Sequence, residues 1–170
     1  MSTFKVKRYH DFSYGHRVVG HEGKCRHLHG HNGRIHFVCE SEYQENIKKG
    51  LDSIGRVIDF GEVKSRLCMW LEENWDHKFL AWDKDSLIIR LSDAALEWHD
   101  ENCTTSEDYF DEESKLFDQS IVFVPFNPTA ENMAEYLVEV IGPQQLKDTG
   151  IKLVEVTIDE TQKCSVTYAG

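Results

Sequence analysis

The chain has 170 residues, 40% of them hydrophobic, which suits one domain with a buried core. Its net charge of −11 disfavours binding to a nucleic-acid backbone. No apolar run approaches the ~20 residues that span a bilayer, and the opening Met1-Ser2-Thr3-Phe4-Lys5 lacks the apolar stretch of a secretion signal, so a cytoplasmic location is expected.

Side chains alternate from Phe4 to Phe12, with Phe4, Val6 and Phe12 on one face, which predicts a strand. Next comes Cys25-Arg26-His27-Leu28-His29-Gly30-His31. Two histidines spaced by two on an extended segment project from the same side, and Gly30 between them allows a close approach. Imidazoles so placed suit a borderline-soft ion such as zinc, whose catalytic sites take three protein ligands and leave one position open. A third histidine is needed, and spacing leaves both His16 and His27 available.

Residues 33–41 alternate again, with Ile35, Phe37 and Cys39 on one face, a second strand. Asp59 followed by Glu62 reads as the capped start of a helix carrying Val63, Leu67, Trp70, Leu71 and Trp75, with Asp76-His77 at its end. Leu87 to Trp98 allows a short helix with an acidic loop behind it. Another helix begins near Asn127-Pro128-Thr129 and carries Met133, Leu137, Val140 and Ile141 to Gly142-Pro143. Val154, Val156 and Ile158, then Cys164, Val166 and Tyr168 after a polar turn, predict a hairpin. The order strand, strand, helix, helix, strand, strand predicts an α+β fold, a four-stranded antiparallel sheet with two helices on one face.

Charge is unevenly distributed. Residues 83–118 hold twelve acidic side chains against Lys84, Arg90 and Lys115, while residues 1–36 hold seven basic against Asp11 and Glu22. The histidine segment is therefore locally basic and suits an anionic substrate. Five cysteines without a Cys-x-x-Cys argue against a disulfide framework, and Cys39, Cys68, Cys103 and Cys164 read as buried free thiols. Cys25 is different: Lys24, Arg26 and a nearby metal cation stabilise negative charge on its sulfur, the form that takes a proton or attacks carbon.

Phe12-x-x-x-His16-Arg17, Cys25-x-x-x-His29-Gly30-His31-Asn32, Val57-Ile58-Asp59-Phe60 with Lys64, Asp76-His77-x-x-Leu80, Asn127-Pro128-Thr129-Ala130-Glu131-Asn132 and Val156-Thr157-Ile158-Asp159-Glu160-Thr161 follow one another in an order that resembles the 6-pyruvoyl- and 6-carboxy-tetrahydropterin synthase family. The resemblance selects His16 over His27 as the third ligand, giving a Zn2+ site of His16, His29 and His31. It implies a single synthase-like domain over residues 1–170, with insertions at about 42–56 and 83–120, built on the tunnelling fold. In that fold protomer sheets join into a barrel of three and two rings stack into a homohexamer, with active sites between subunits. It also implies catalytic residues: Cys25 as general base, Asp76-His77 as a proton relay, and Glu160, whose carboxylate anchors the N–H edge of a pterin.

The implied activity is a lyase reaction on 7,8-dihydroneopterin triphosphate. Cys25 before His-Gly-His favours the branch that yields 6-carboxy-5,6,7,8-tetrahydropterin, acetaldehyde and triphosphate, toward queuosine, over the branch that yields the pyruvoyl product. Two other classes use the same residues. Three histidines with an open position also describe a metal-hydroxide hydrolase, and the same pocket without turnover describes a metal or pterin binder.

Overall fold

The computed structural model describes residues 4–42, 50–102, 116–117 and 119–170. Six strands order as β4-β3-β1-β2-β5-β6, namely β1 Val6–His16, β2 His29–Ser41, β3 Lys78–Trp82, β4 Ile121–Val124, β5 Ile151–Thr161 and β6 Cys164–Ala169. Helical segments make this an α+β protein. No helix among the described residues is long and apolar enough to cross a membrane.

The chain divides into two compact units, one of Met1–Ser13, His31–Asp76 and Thr129–Gly170, the other of Tyr14–Gly30 and His77–Pro128. In the first, β5 pairs antiparallel with both β2 and β6, with Ile35 opposite Ile158 and Phe37 opposite Val156. The period-2 pattern puts Ile35, Phe37, Cys39, Val156 and Ile158 in the core. The same unit holds the helical run from α1 Phe60–Val63 through a π turn, Lys64–Cys68, to α2 Met69–Asn74. Asp59 caps it, its Oδ1 accepting the Gly61 N–H at 2.7 Å. Val63, Leu67, Leu71 and Trp75 are spaced by four and all buried. At 3.6 residues per turn such a stripe drifts by about 120° from first to last. The wider π turn takes up part of that drift and keeps the stripe facing the core. Removing one such side chain, as in Leu71→Ala, is expected to cost ~2–5 kcal/mol.

The helix capped by Thr129 begins as α4 Ala130–Tyr136, passes a second π turn, Leu137–Ile141, and continues past Gly142-Pro143 as α5 Gly142–Gln145. α4 packs on β5 and β6, burying Met133 and Ala134, while Leu137 and Ile141 of the turn are buried as well.

In the second unit the end of β1 pairs in parallel with β3, Tyr14 opposite Lys78 and His16 opposite Leu80, and β3 pairs in parallel with β4. Between β3 and β4 runs α3 Ser86–Asn102. This corrects the expectation of four antiparallel strands. Parallel neighbours need a crossover, usually a helix, and α3 stands in it. β3 and β4 are five and four residues long, too short to show an alternation.

Two boundaries also move. β1 runs on to His16 and β2 starts at His29, so the histidine motifs belong to strands. The helix expected over Leu87 to Trp98 is present within α3. The acidic loop behind it, Cys103, and residues 43–49 of the first expected insertion lie outside the described residues. Cys39 and Cys68 are buried free thiols, whereas Cys164 is exposed on β6, contrary to expectation. Burial pushes the Cys39 thiol up to about 12 and that of Cys68 upward.

Candidate metal centre

β1 alternates so that Phe12, Tyr14 and His16 share its buried face, and His16 is only 1% exposed. Gly30 has a steric reason: a Cβ there would stand 2.9 Å from the Tyr14 carbonyl oxygen. The two strands thus approach closely beside the histidines.

His16 Nδ1 lies 2.6 Å from the Pro128 carbonyl oxygen, and His29 Nδ1 lies 2.8 Å from the His27 carbonyl oxygen. A carbonyl only accepts, so each Nδ1 is the protonated, donating nitrogen and each Nε2 carries a lone pair. Those two Nε2 atoms face each other at 3.1 Å, with ring centroids 4.5 Å apart. Two lone pairs so close repel unless a cation or a proton stands between them. His31, two residues along β2 from His29, completes a group of three imidazoles whose ligand atoms all lie within 4.8 Å of one another. Three imidazoles, two of them with Nδ1 partners that fix the ring, fit a borderline-soft divalent ion.

His27, the alternative ligand, has an exposed ring, and its contribution is its carbonyl. Among the described residues, the donor group holds no thiol or carboxylate. Glu160 is close to one member: its Oε1 is 3.6 Å from His31 Nε2. It sits half-buried where the β5–β6 register shifts between Asp159 and Thr161, an irregularity of the kind that re-aims a side chain.

Cys25 is half-buried on a single 3-10 turn, Lys24–Arg26, and its carbonyl accepts the Val18 N–H at 2.8 Å. Lys24 and Arg26 on either side are exposed. Asp76 follows α2 and accepts the Ser13 N–H at 2.7 Å. His77 is exposed and has a φ of 56°, the left-handed region that non-glycine residues enter at a cost, and it turns the chain into β3.

Three further contributors escape a reading of side-chain motifs. The carbonyls of His27 and Pro128 carry no residue signature. Arg17 Nε meets Asp85 Oδ2 at 2.7 Å, and that carboxylate, 3% exposed, also accepts the Leu87 N–H at the start of α3. Asn127 clamps Val19, accepting its N–H at 2.9 Å and donating to its carbonyl at 2.8 Å. Arg17, Asn127 and Pro128 stood in visible motifs, but none of those motifs shows the partner each residue meets.

The family model described as 6-pyruvoyl tetrahydropterin synthase matches residues 5–170. A relative named 6-carboxy-5,6,7,8-tetrahydropterin synthase, from Rickettsia typhi, is 34% identical over 95% of this chain and 97% of its own length. A crystal structure of an uncharacterized protein from Wolinella succinogenes aligns with a TM-score of 0.74 and 27% identity over 98% of each chain. The 6-pyruvoyl tetrahydropterin synthase of Caenorhabditis elegans aligns with a TM-score of 0.55 over 100% of this chain and 97% of its own, and at 23% identity that likeness concerns the fold.

Proposed function

The chain belongs to the 6-pyruvoyl tetrahydropterin synthase family, and from that premise we propose that it is a lyase taking 7,8-dihydroneopterin triphosphate and water to 6-carboxy-5,6,7,8-tetrahydropterin, acetaldehyde and triphosphate, a step toward queuosine. The observation that carries this reading is the pair of facing Nε2 atoms of His16 and His29, 3.1 Å apart, with His31 in the same donor group.

His16, His29 and His31 hold zinc in this reading, and its chemistry there is Lewis acidity toward the oxygens of the substrate side chain. Glu160 anchors the pterin by accepting its two adjacent N–H groups, a role supported by its place 3.6 Å from His31. Cys25 takes a proton from the substrate side chain, supported by the cationic residues that flank it. His77 returns protons, with Asp76 orienting it. The assembly in this reading is a homohexamer, a dimer of trimers. Its support is that β4 and β6 end the strand order, and sheet edges must be covered or paired.

The test is incubation of metal-loaded protein with 7,8-dihydroneopterin triphosphate followed by mass identification of products. The carboxy product and acetaldehyde are expected. A pyruvoyl product would move the chain to the sister activity, and a dephosphorylated product with an unchanged ring oxidation state would make it a hydrolase. Absence of any product would leave a binder.

A further inference from the structure

The segment between β1 and β2, residues 17–28, carries Cys25 and contains no strand. Its own hydrogen bonds are short-range. Val18 donates to the Cys25 carbonyl at 2.8 Å and His21 to the Val18 carbonyl at 3.3 Å, and the 3-10 turn closes with Arg26 to Gly23 at 3.4 Å and His27 to Lys24 at 3.0 Å. Gly20, at a φ of 82°, turns the chain back so that Val18 meets Cys25.

A distant residue fixes this hairpin-like segment. The Asn127 side chain engages both the N–H and the carbonyl of Val19 across 108 positions of sequence, as a peptide group in a paired strand does. Val19 adjoins Val18, and Val18 bonds Cys25. The next residue, Pro128, gives its carbonyl to His16. One dipeptide thus serves two neighbours by different means: a backbone oxygen for the metal ligand, which no substitution at 127 removes, and a side-chain amide for the Cys25 segment.

We infer that Asn127 is a positioning residue for Cys25, acting through Val19 and Val18, and that it has no share in holding the metal. The inference rests on the proposed role of Cys25 as base. A positioned base loses effect steeply with misplacement, about 100-fold for a displacement near 1 Å.

The test uses Asn127→Ala in the full chain, with four readouts: metal content, turnover, pterin-analogue binding, and the rate of alkylation by iodoacetamide at each cysteine, resolved by peptide mass. Cys164, exposed on β6, is the internal reference, and the buried Cys39 and Cys68 report on global opening. Expected are unchanged metal content and pterin binding, a kcat lowered by about 10- to 100-fold with KM nearly constant, and a several-fold rise in Cys25 labelling relative to Cys164 while Cys39 and Cys68 stay protected. Asn127→Asp keeps an acceptor for the Val19 N–H and loses the donor to its carbonyl, so its labelling and kcat should fall between parent and Asn127→Ala. Cys25 labelling equal to the parent overturns the inference. So does labelling of Cys39 and Cys68 along with Cys25, which marks a general loss of structure, and so does loss of metal. If the parent shows no turnover on the pterin triphosphate, the functional reading fails, and the labelling pattern still decides what Asn127 holds.

Discussion

His29 and His36 stand on the same strand, β2, and share a residue type, yet only one belongs to the donor group. His29 gives Nδ1 to a neutral carbonyl and keeps an Nε2 lone pair toward His16. His36 lies at an even position of the strand, on the face opposite His29, where its Nε2 meets Asp159 Oδ2 at 2.7 Å and its ring lies 5.8 Å from that of Tyr9. Strand parity chooses the face, and the partner of the remaining nitrogen then decides whether an imidazole is available as a ligand. Nine histidines in the sequence therefore do not make nine candidate ligands.

The contrast is broken most severely at the ligands. His29→Ala and His31→Ala are expected to abolish metal retention and activity together, whereas His27→Ala, which leaves the His27 carbonyl in place, should keep both. Elemental analysis of purified variants checks this, and an empty site in His27→Ala would reverse the assignment. Cys25→Ala should retain metal and bind pterin while turnover falls ~100- to 10,000-fold, the contribution of a positioned base; full turnover would remove Cys25 from the mechanism. Glu160→Gln keeps the side-chain shape but turns one acceptor into a donor facing the pterin N–H edge. Its cost, read by calorimetry with a pterin analogue, is expected to be about 2–5 kcal/mol, and parent-like affinity would end the anchor role.

Smaller effects belong to charges already partnered inside the protein. Arg17 is tied to Asp85 and Arg34 to Asp11 through two bonds of 2.6 and 3.1 Å, and the Arg34 guanidinium holds the Asp11 carboxyl below its usual range. If the histidine segment attracts the triphosphate, salt should raise KM for that substrate more than for a dephosphorylated analogue, through Lys24 and Arg26. An equal response would remove the charge argument. Smallest is His36→Ala: metal content should match the parent, and the half-exposed pair with Asp159 should be worth no more than about 1 kcal/mol of stability in a denaturant titration. Metal loss in that variant would erase the distinction between the two faces of β2.

Much of the fold was legible because period and identity coincide. Ile35, Phe37 and Cys39 at period two, and Val63, Leu67, Leu71 and Trp75 at period four, declare a buried face by themselves. His-Gly-His was legible for the same reason, since its ligand atoms belong to named side chains. What stayed hidden rests on groups that every residue carries or on distant pairing. The carbonyls of His27 and Pro128 that fix two ligand rings have no sequence signature, and Arg17 gives no hint of Asp85. Ile121–Val124 is a four-residue apolar run that a strand, a helix turn or a loop would all accommodate. Cys164 alternates correctly along β6, but alternation does not reveal that a strand at the end of the order leaves that side open to water.

The crossover from β3 through α3 to β4 has a consequence for how this chain tolerates editing. Excising residues 83–120 as a removable insertion would join Trp82 directly to Ile121, leaving no crossover for the parallel β3–β4 pair, and would leave Arg17 facing no carboxylate, since Asp85 goes with it. Trimming only between Asn102 and Leu116 leaves the parallel pair and the ion pair intact. A shortened variant must therefore keep α3 together with Asp85 before it and β4 after it.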